Sequence, residues 1–178
     1  MKQTHFYGSR TEDTQDNWET PPYLFKLLDK EFDFDVDLAA SESNHLCEEY
    51  YTKENSGLDA NLEGKNVFCN PPYNEIEKWV KKCYEEGQKK GTIIVMLIPA
   101  RTDTKYFHTY CMNAFEIRLV KGRISFLRNG KKPKSGGNNH PSCIVIFCKH
   151  EFHFPSLTSF YHKESDLIKQ ECDIEKWI

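Results

Sequence analysis

The sequence predicts an α/β domain: a mostly parallel sheet with an antiparallel C-terminal strand pair and helices on both faces. Three observations carry this. TIIVMLI (92–98) is an uninterrupted apolar run, the pattern of a strand covered on both sides. Before it, Ile76, Trp79, Val80, Cys83 and Tyr84 recur at i, i+3, i+4, i+7 and i+8, which is one buried helical stripe. After it, a helix near 104–113 is followed by FEIRLV, RISFL and SCIVIFC, strands late in the chain with no helix between them, so they pair antiparallel.

Taken in order, residues 1–16 are polar and expected to be flexible. Thr20 can cap a helix with Pro21 at its first position and Leu24, Leu27, Leu28 and Phe32 on its apolar face. FDVDLAA (34–40) reads as a short strand ending in small residues, 44–49 as a helical stretch, and EYYT (49–52) as a strand. VFC (67–69) then enters a double proline. Asn74 can cap the next helix, with Glu77 as capping-box partner, and Gly91 can end it just after Lys90. The expected domain spans 17–150, and 151–178 is an extension with one helix near 163–171.

The chain has 178 residues, 38% of them hydrophobic, which suits a single domain with a real core. No apolar run reaches the roughly 18 residues of a membrane span, so no membrane partner is expected. MKQTHFYGSR has no apolar signal core, and the expected location is the cytoplasm. The seven cysteines are an odd number in mostly apolar surroundings, the pattern of free thiols in a reducing compartment. His108-x-x-Cys111 and His140-x-x-Cys143 invite a zinc reading, but no CxxC pair supports it, and no metal is expected. Charge is unevenly spread: 12–63 carries fifteen carboxylates and three lysines, whereas 117–150 carries eight lysines and arginines and no carboxylate. That asymmetry suggests a face for a polyanion, against the plainer reading of a solvated basic loop.

Chemistry points to FCNPPYNE (68–75). Asn/Asp/Ser-Pro-Pro-aromatic arises by chance in about one chain per few hundred, so its place at the end of a predicted strand decides its weight. An amino group on an aromatic ring is a poor nucleophile because its lone pair is delocalised. Two fixed acceptors, the Asn70 side-chain oxygen and the Pro71 carbonyl, can take its hydrogens and free that lone pair. Pro71 and Pro72 hold the pair rigid, and Tyr73 can stack on the ring or simply pack on the next helix. The end of a strand leading into a helix is also where open α/β sheets hold ligands.

WETPPYLF (18–25), DVDLAAS (35–41), FCNPPY (68–73), LIPARTDT (97–104), GRISF (122–126) and HPSCIVIF (140–147) together resemble the phage-type DNA adenine-N6 methyltransferases, S-adenosylmethionine-dependent enzymes with a Rossmann-like sheet. The resemblance covers roughly 17–148. It implies S-adenosyl-L-methionine as cofactor, DNA as partner, base flipping, and the cytoplasm of a bacterial cell, phage- or prophage-encoded. Carried over by residue, Asn70, Pro71, Pro72 and Tyr73 match the catalytic motif. Thr20 and Pro21 match the segment that touches the methionine carboxylate, and Asp37 the acid for the cofactor's ammonium. Ala39 falls in the cofactor loop, Asp59 is placed for the cofactor's adenine, Glu54 for its ribose, and Asn70 borders the cofactor as well as the target amine. Arg101, Arg123, Arg128, Lys131, Lys132, Lys134, Asn138, Asn139 and His140 are the candidate DNA contacts, most of them in RNGKKPKSGGNNHPS (128–142).

The departures from the family are concrete. DLAASESN replaces the usual glycine-rich loop after the first strand. Two alternatives stay open on sequence alone: methylation of RNA or of protein glutamines, and a non-catalytic nucleic-acid-binding relative.

Overall fold

The computed structural model describes residues 18–133, 140–150 and 155–160. Pro22 sits at the first position of helix α1 (Pro22–Phe32), where its missing N–H costs nothing, and Leu24, Phe25 and Leu28 turn inward. The residue before the helix is Pro21, and no side chain caps it. Thr20 is therefore not the cap that the sequence suggested. Its hydroxyl is used elsewhere.

Strands β1 (Val36–Asp37) and β2 (Glu49–Tyr50) are two residues each, much shorter than FDVDLAA suggested. The stretch 44–49 is not helical: Ser41 and Asn44 exchange backbone hydrogen bonds in a tight turn, and Asn44 N–H also donates to the Ser41 hydroxyl. This local serine–backbone bonding competes with a helix. β3 (Asn66–Cys69) leads into the double proline. A 3₁₀ turn at Tyr73–Glu75 then precedes α2 (Ile76–Gly87), so Asn74 lies inside that turn and forms no cap or capping box. Ile76, Trp79, Val80 and Cys83 are buried as their spacing requires.

β4 (Ile93–Pro99) is the predicted apolar strand. The helix expected over 104–113 is split into α3 (Lys105–Thr109) and a 3₁₀ turn at Cys111–Asn113. β5 (Glu116–Val120) and β6 (Ser142–Cys148) follow. RISFL is not a strand; only Leu127 forms a bridge, with Glu19. β7 (Ser156–Phe160), unanticipated, adds to the sheet beyond residue 150. The helix expected near 163–171 lies outside the described residues.

The sheet order is β2-β1-β3-β4-β6-β5-β7. β6 is antiparallel to both neighbours, while the other four pairings are parallel. Alternate residues sort onto two cores. Val67, Cys69, Ile94, Met96, Ile98, Cys143, Val145 and Phe147 pack with α2 and α3 on one face. Phe68, Val95, Leu97, Ile144 and Ile146 pack with α1 on the other. Both faces of the central strands are thus covered, which is why they read as continuous apolar runs.

After β1 the chain first builds β2 on one side and later β3 on the other. The sheet order reverses there, and the crevice at the carboxyl ends of β1 and β3 is where such sheets hold ligands. Pairing of β3 with β4 stops at Cys69 and Met96, although β4 runs on to Pro99 alongside β6. The prolines that follow Cys69 and Asn70 cannot donate to a ladder.

One glycine holds the rim of this crevice. A Cβ at Gly57 would lie 2.3 Å from the Leu38 carbonyl oxygen just past β1. Gly57→Ala is expected to destabilise the fold by about 1–3 kcal/mol, because a backbone atom has to yield. Urea unfolding checks this, and an unchanged midpoint would contradict the contact.

Candidate active site

Asn70 leaves β3 at its carboxyl end and turns back towards the chain that enters α1. Its amide nitrogen donates to the Trp18 carbonyl at 2.7 Å and to the Thr20 hydroxyl at 3.0 Å. Both amide hydrogens are used. Its side-chain oxygen is buried and has no hydrogen-bond partner among the described residues. Buried polar atoms are normally paired, so this acceptor at the carboxyl edge of the sheet is an exception that calls for an explanation. Pro71 is buried and Pro72 half-buried, with φ −62° and extended ψ, so the backbone around the acceptor is fixed.

Asp37 ends β1, opposite Phe68 of β3, and is only 4% exposed. One carboxylate oxygen accepts from Leu46 N–H at 3.1 Å. Burial pushes its carboxyl up to about 6, against the opposing pull of the Leu46 and Ala39 backbone N–H groups and of His45. Among the described residues no salt bridge reaches it. A buried acid with hydrogen bonds but no cation is a site that a ligand ammonium would complete. Leu46 was not legible as part of the site. The loop that lacks glycines reaches the carboxylate through this backbone N–H, which no side-chain pattern reveals.

Tyr73 is half-buried against the core under α2. Its hydroxyl is buried without a partner among the described residues, and burial raises its ionisation well above the tyrosine range, opposed by the nearby Arg101 guanidinium. The phenol therefore stays neutral. Tyr73→Phe removes an unpaired buried hydroxyl and keeps the ring, so it is expected to match or exceed the parent in thermal stability and to retain most of its turnover. If the ring stacks on the target base as the resemblance implies, Tyr73→Ala should lose activity, since such stacking contributes about 1–3 kcal/mol. A dead Tyr73→Phe would instead assign a role to the hydroxyl.

The remaining candidates are more scattered. Pro21 is buried beside Thr20, and Ala39 is half-buried just beyond Asp37. Glu54 is exposed after β2 and accepts from the Thr52 hydroxyl at 2.9 Å. Asp59 is exposed in the 3₁₀ turn Gly57–Asp59. Arg101, half-buried, follows β4. Arg128 lies over the Trp18 ring at 5.8 Å, in a turn where Asn129 and Gly130 both have positive φ. Arg123, Lys131, Lys132 and His140 are exposed. Lys134, Asn138 and Asn139 lie outside the described residues. Arg118 does not join the basic face: Glu31 grips it through two bonds of 2.7 and 2.6 Å, and Glu116 adds a third at 2.9 Å.

Two further features bear on what the chain binds. Among the described residues, no group of three or more His, Cys, Asp or Glu is arranged to hold a metal ion. No helix among them is long and apolar enough to cross a membrane.

Comparison with known proteins meets this geometry. A family model described as DNA N-6-adenine-methyltransferase (Dam) matches residues 8–171. A protein of Haemophilus phage HP1 (strain HP1c1) named DNA N-6-adenine-methyltransferase is 30% identical over 136 residues, covering 75% of this chain and 79% of the relative. One of the same name from Escherichia phage T1 is 31% identical over 159 residues, covering 79% of this chain and 66% of the relative.

Proposed function

The chain belongs to the DNA N-6-adenine-methyltransferase family, and on that premise we propose that it transfers a methyl group from S-adenosyl-L-methionine to the N6 amino group of an adenine flipped out of DNA. The observation that carries this is the buried, unpartnered side-chain oxygen of Asn70 at the carboxyl end of β3.

The chain's own groups fit this cofactor. The Asp37 carboxylate, buried and without a salt bridge among the described residues, suits the ammonium of its methionine end. The resemblance assigns its carboxylate to Thr20 and Pro21 at the start of α1, where Pro21 and Pro22 offer no backbone N–H and the helix contributes mainly through its dipole. When bound, S-adenosylmethionine supplies a methyl group carried on a positively charged sulfur.

The rest is done by the protein. Asn70 takes one hydrogen of the target amine on its side-chain oxygen, and the Pro71 carbonyl takes the other. The nitrogen is thereby turned from planar towards tetrahedral and its lone pair is exposed. Neither acceptor is a base at neutral pH, so their part is to orient the amine and not to remove its proton. The aromatic face of Tyr73 holds the ring, and Arg101, Arg123, Arg128, Lys131 and Lys132 offer positive charge to the phosphates. An adenine inside a duplex cannot reach such a pocket, which is why the base is flipped.

The test is to incubate the protein with labelled S-adenosylmethionine and DNA, RNA or protein, and to identify the product by mass spectrometry. N6-methyladenine in DNA is the expected product. Label found only in RNA or in glutamine would overturn the substrate, and no transfer to anything would overturn the activity.

A further inference from the structure

We propose that Thr20 is a positioning residue for methyl transfer: with the Trp18 carbonyl it locks the Asn70 amide so that oxygen, and not nitrogen, faces the target amine, and Glu19 fastens this segment to the hairpin at 127–131. The inference rests on the reading of Asn70 as the amine acceptor and adds what holds it in that state.

An asparagine amide is nearly symmetrical in shape, so its oxygen and nitrogen can exchange places by a half-turn. Only one orientation is useful, because nitrogen facing an amine sets donor against donor. The protein chooses through its acceptors. The Trp18 carbonyl can only accept, so the group 2.7 Å from it has to be the amide nitrogen. The second amide hydrogen goes to the Thr20 hydroxyl at 3.0 Å. Thr20 is only 4% exposed, so water is poorly placed to substitute for it.

Residues 18–20 are themselves held from the far side. Glu19 and Leu127 exchange backbone hydrogen bonds at 3.0 and 2.9 Å, and Gly130 N–H donates to the Glu19 carboxylate at 2.8 Å. The Trp18 ring packs against Phe126 with centroids 6.4 Å apart, and Arg128 lies over it. The hairpin that carries Arg128 and Lys131 is therefore bonded to the segment that sets the catalytic amide. One short stretch of backbone serves both the basic face and the reacting group.

The test compares Thr20→Val, which keeps the shape and removes the acceptor, with Thr20→Ser, which restores it. Thr20→Val is expected to lower kcat by about tenfold, with the S-adenosylmethionine Kd and the KM for DNA within about twofold of the parent, because on this proposal the buried Thr20 hydroxyl serves Asn70 in place of the cofactor contact that the resemblance implied for it. Thr20→Ser should recover most of the loss. Alongside turnover, the Asn70 side-chain amide protons are followed by NMR: both should be protected from solvent exchange in the parent and in Thr20→Ser, and at least one exposed in Thr20→Val. Unchanged kcat in Thr20→Val, or a fall in cofactor affinity that accounts for the whole effect, overturns the proposal. If Thr20→Val does not fold, Thr20→Ala asks the same question, and unchanged kcat there would overturn the proposal; equal turnover of Glu19→Ala and Glu19→Gln would overturn the fastening to the hairpin. A parent that transfers no methyl would sink the functional reading alone, since the amide exchange still decides whether Thr20 holds Asn70.

Discussion

Asn70→Ala is expected to lower methyl transfer by about 10²–10³, the usual cost of removing one preorganised polar group from a reacting centre, while the S-adenosylmethionine Kd stays close to that of the parent. The two effects separate because Asn70 spends its amide nitrogen on Trp18 and Thr20 and keeps only its oxygen for the substrate. Nothing in that arrangement anchors the cofactor, whose ammonium is assigned to Asp37 on the neighbouring strand. The substitution also strands the Trp18 carbonyl, so a modest fall in melting temperature should accompany the loss of activity. Single-turnover transfer to an adenine-containing duplex, with calorimetry of the cofactor on the same preparation, gives both numbers. Turnover near that of the parent would remove Asn70 from the chemistry. An equal loss of cofactor affinity would move it to the cofactor site.

The central sheet was legible because its physics is local to each strand. Ile93–Ile98 and Cys143–Phe147 are covered on both faces, so almost every residue is apolar and no partner is needed to see it. The stripe of α2 was legible for the same reason. The caps were not, since they depend on geometry that composition does not fix. Thr20 and Asn74 both have the chemistry of a cap, yet α1 starts at Pro22 without a side-chain cap and Asn74 is absorbed into a 3₁₀ turn. The Thr20 hydroxyl is spent on Asn70, fifty residues away, and no pattern along the chain announces such a bond. RISFL has the composition of a strand, but only Leu127 finds a backbone partner, in Glu19 near the other end of the domain. The site divides in the same way. Asn70 stood out by its double proline at the end of a predicted strand, whereas Asp37 was marked by the family resemblance. Leu46 and Trp18 act through backbone groups, which are invisible to residue type.

Asp37→Asn is expected to weaken S-adenosylmethionine binding by roughly 1.5–3 kcal/mol, the worth of a hydrogen bond to a charged group, or about 10- to 150-fold in Kd. It should also remove most of the pH dependence of binding. Burial raises the Asp37 carboxyl to about 6, above its unfolded value of about 3.9. The native state therefore holds this proton more tightly than the unfolded chain, so its contribution to the stability of the free protein falls as pH rises from about 4 to about 6 and is level above that. Two pKa units correspond to about 3 kcal/mol, the cost of keeping the carboxylate charged and dry at neutral pH. An ammonium beside it reverses the balance by favouring the charged form, so binding below about 6 has to expel a proton. The Kd should accordingly rise by up to about tenfold per pH unit below 6 and be flat between about 7 and 7.5. His45 acts on the same carboxylate from the loop after β1. Calorimetry of the parent and Asp37→Asn between pH 5 and about 7.5 is the test: the part of the slope lost in the variant belongs to Asp37. If the variant binds as tightly as the parent and keeps the whole slope, Asp37 does not hold the cofactor's ammonium.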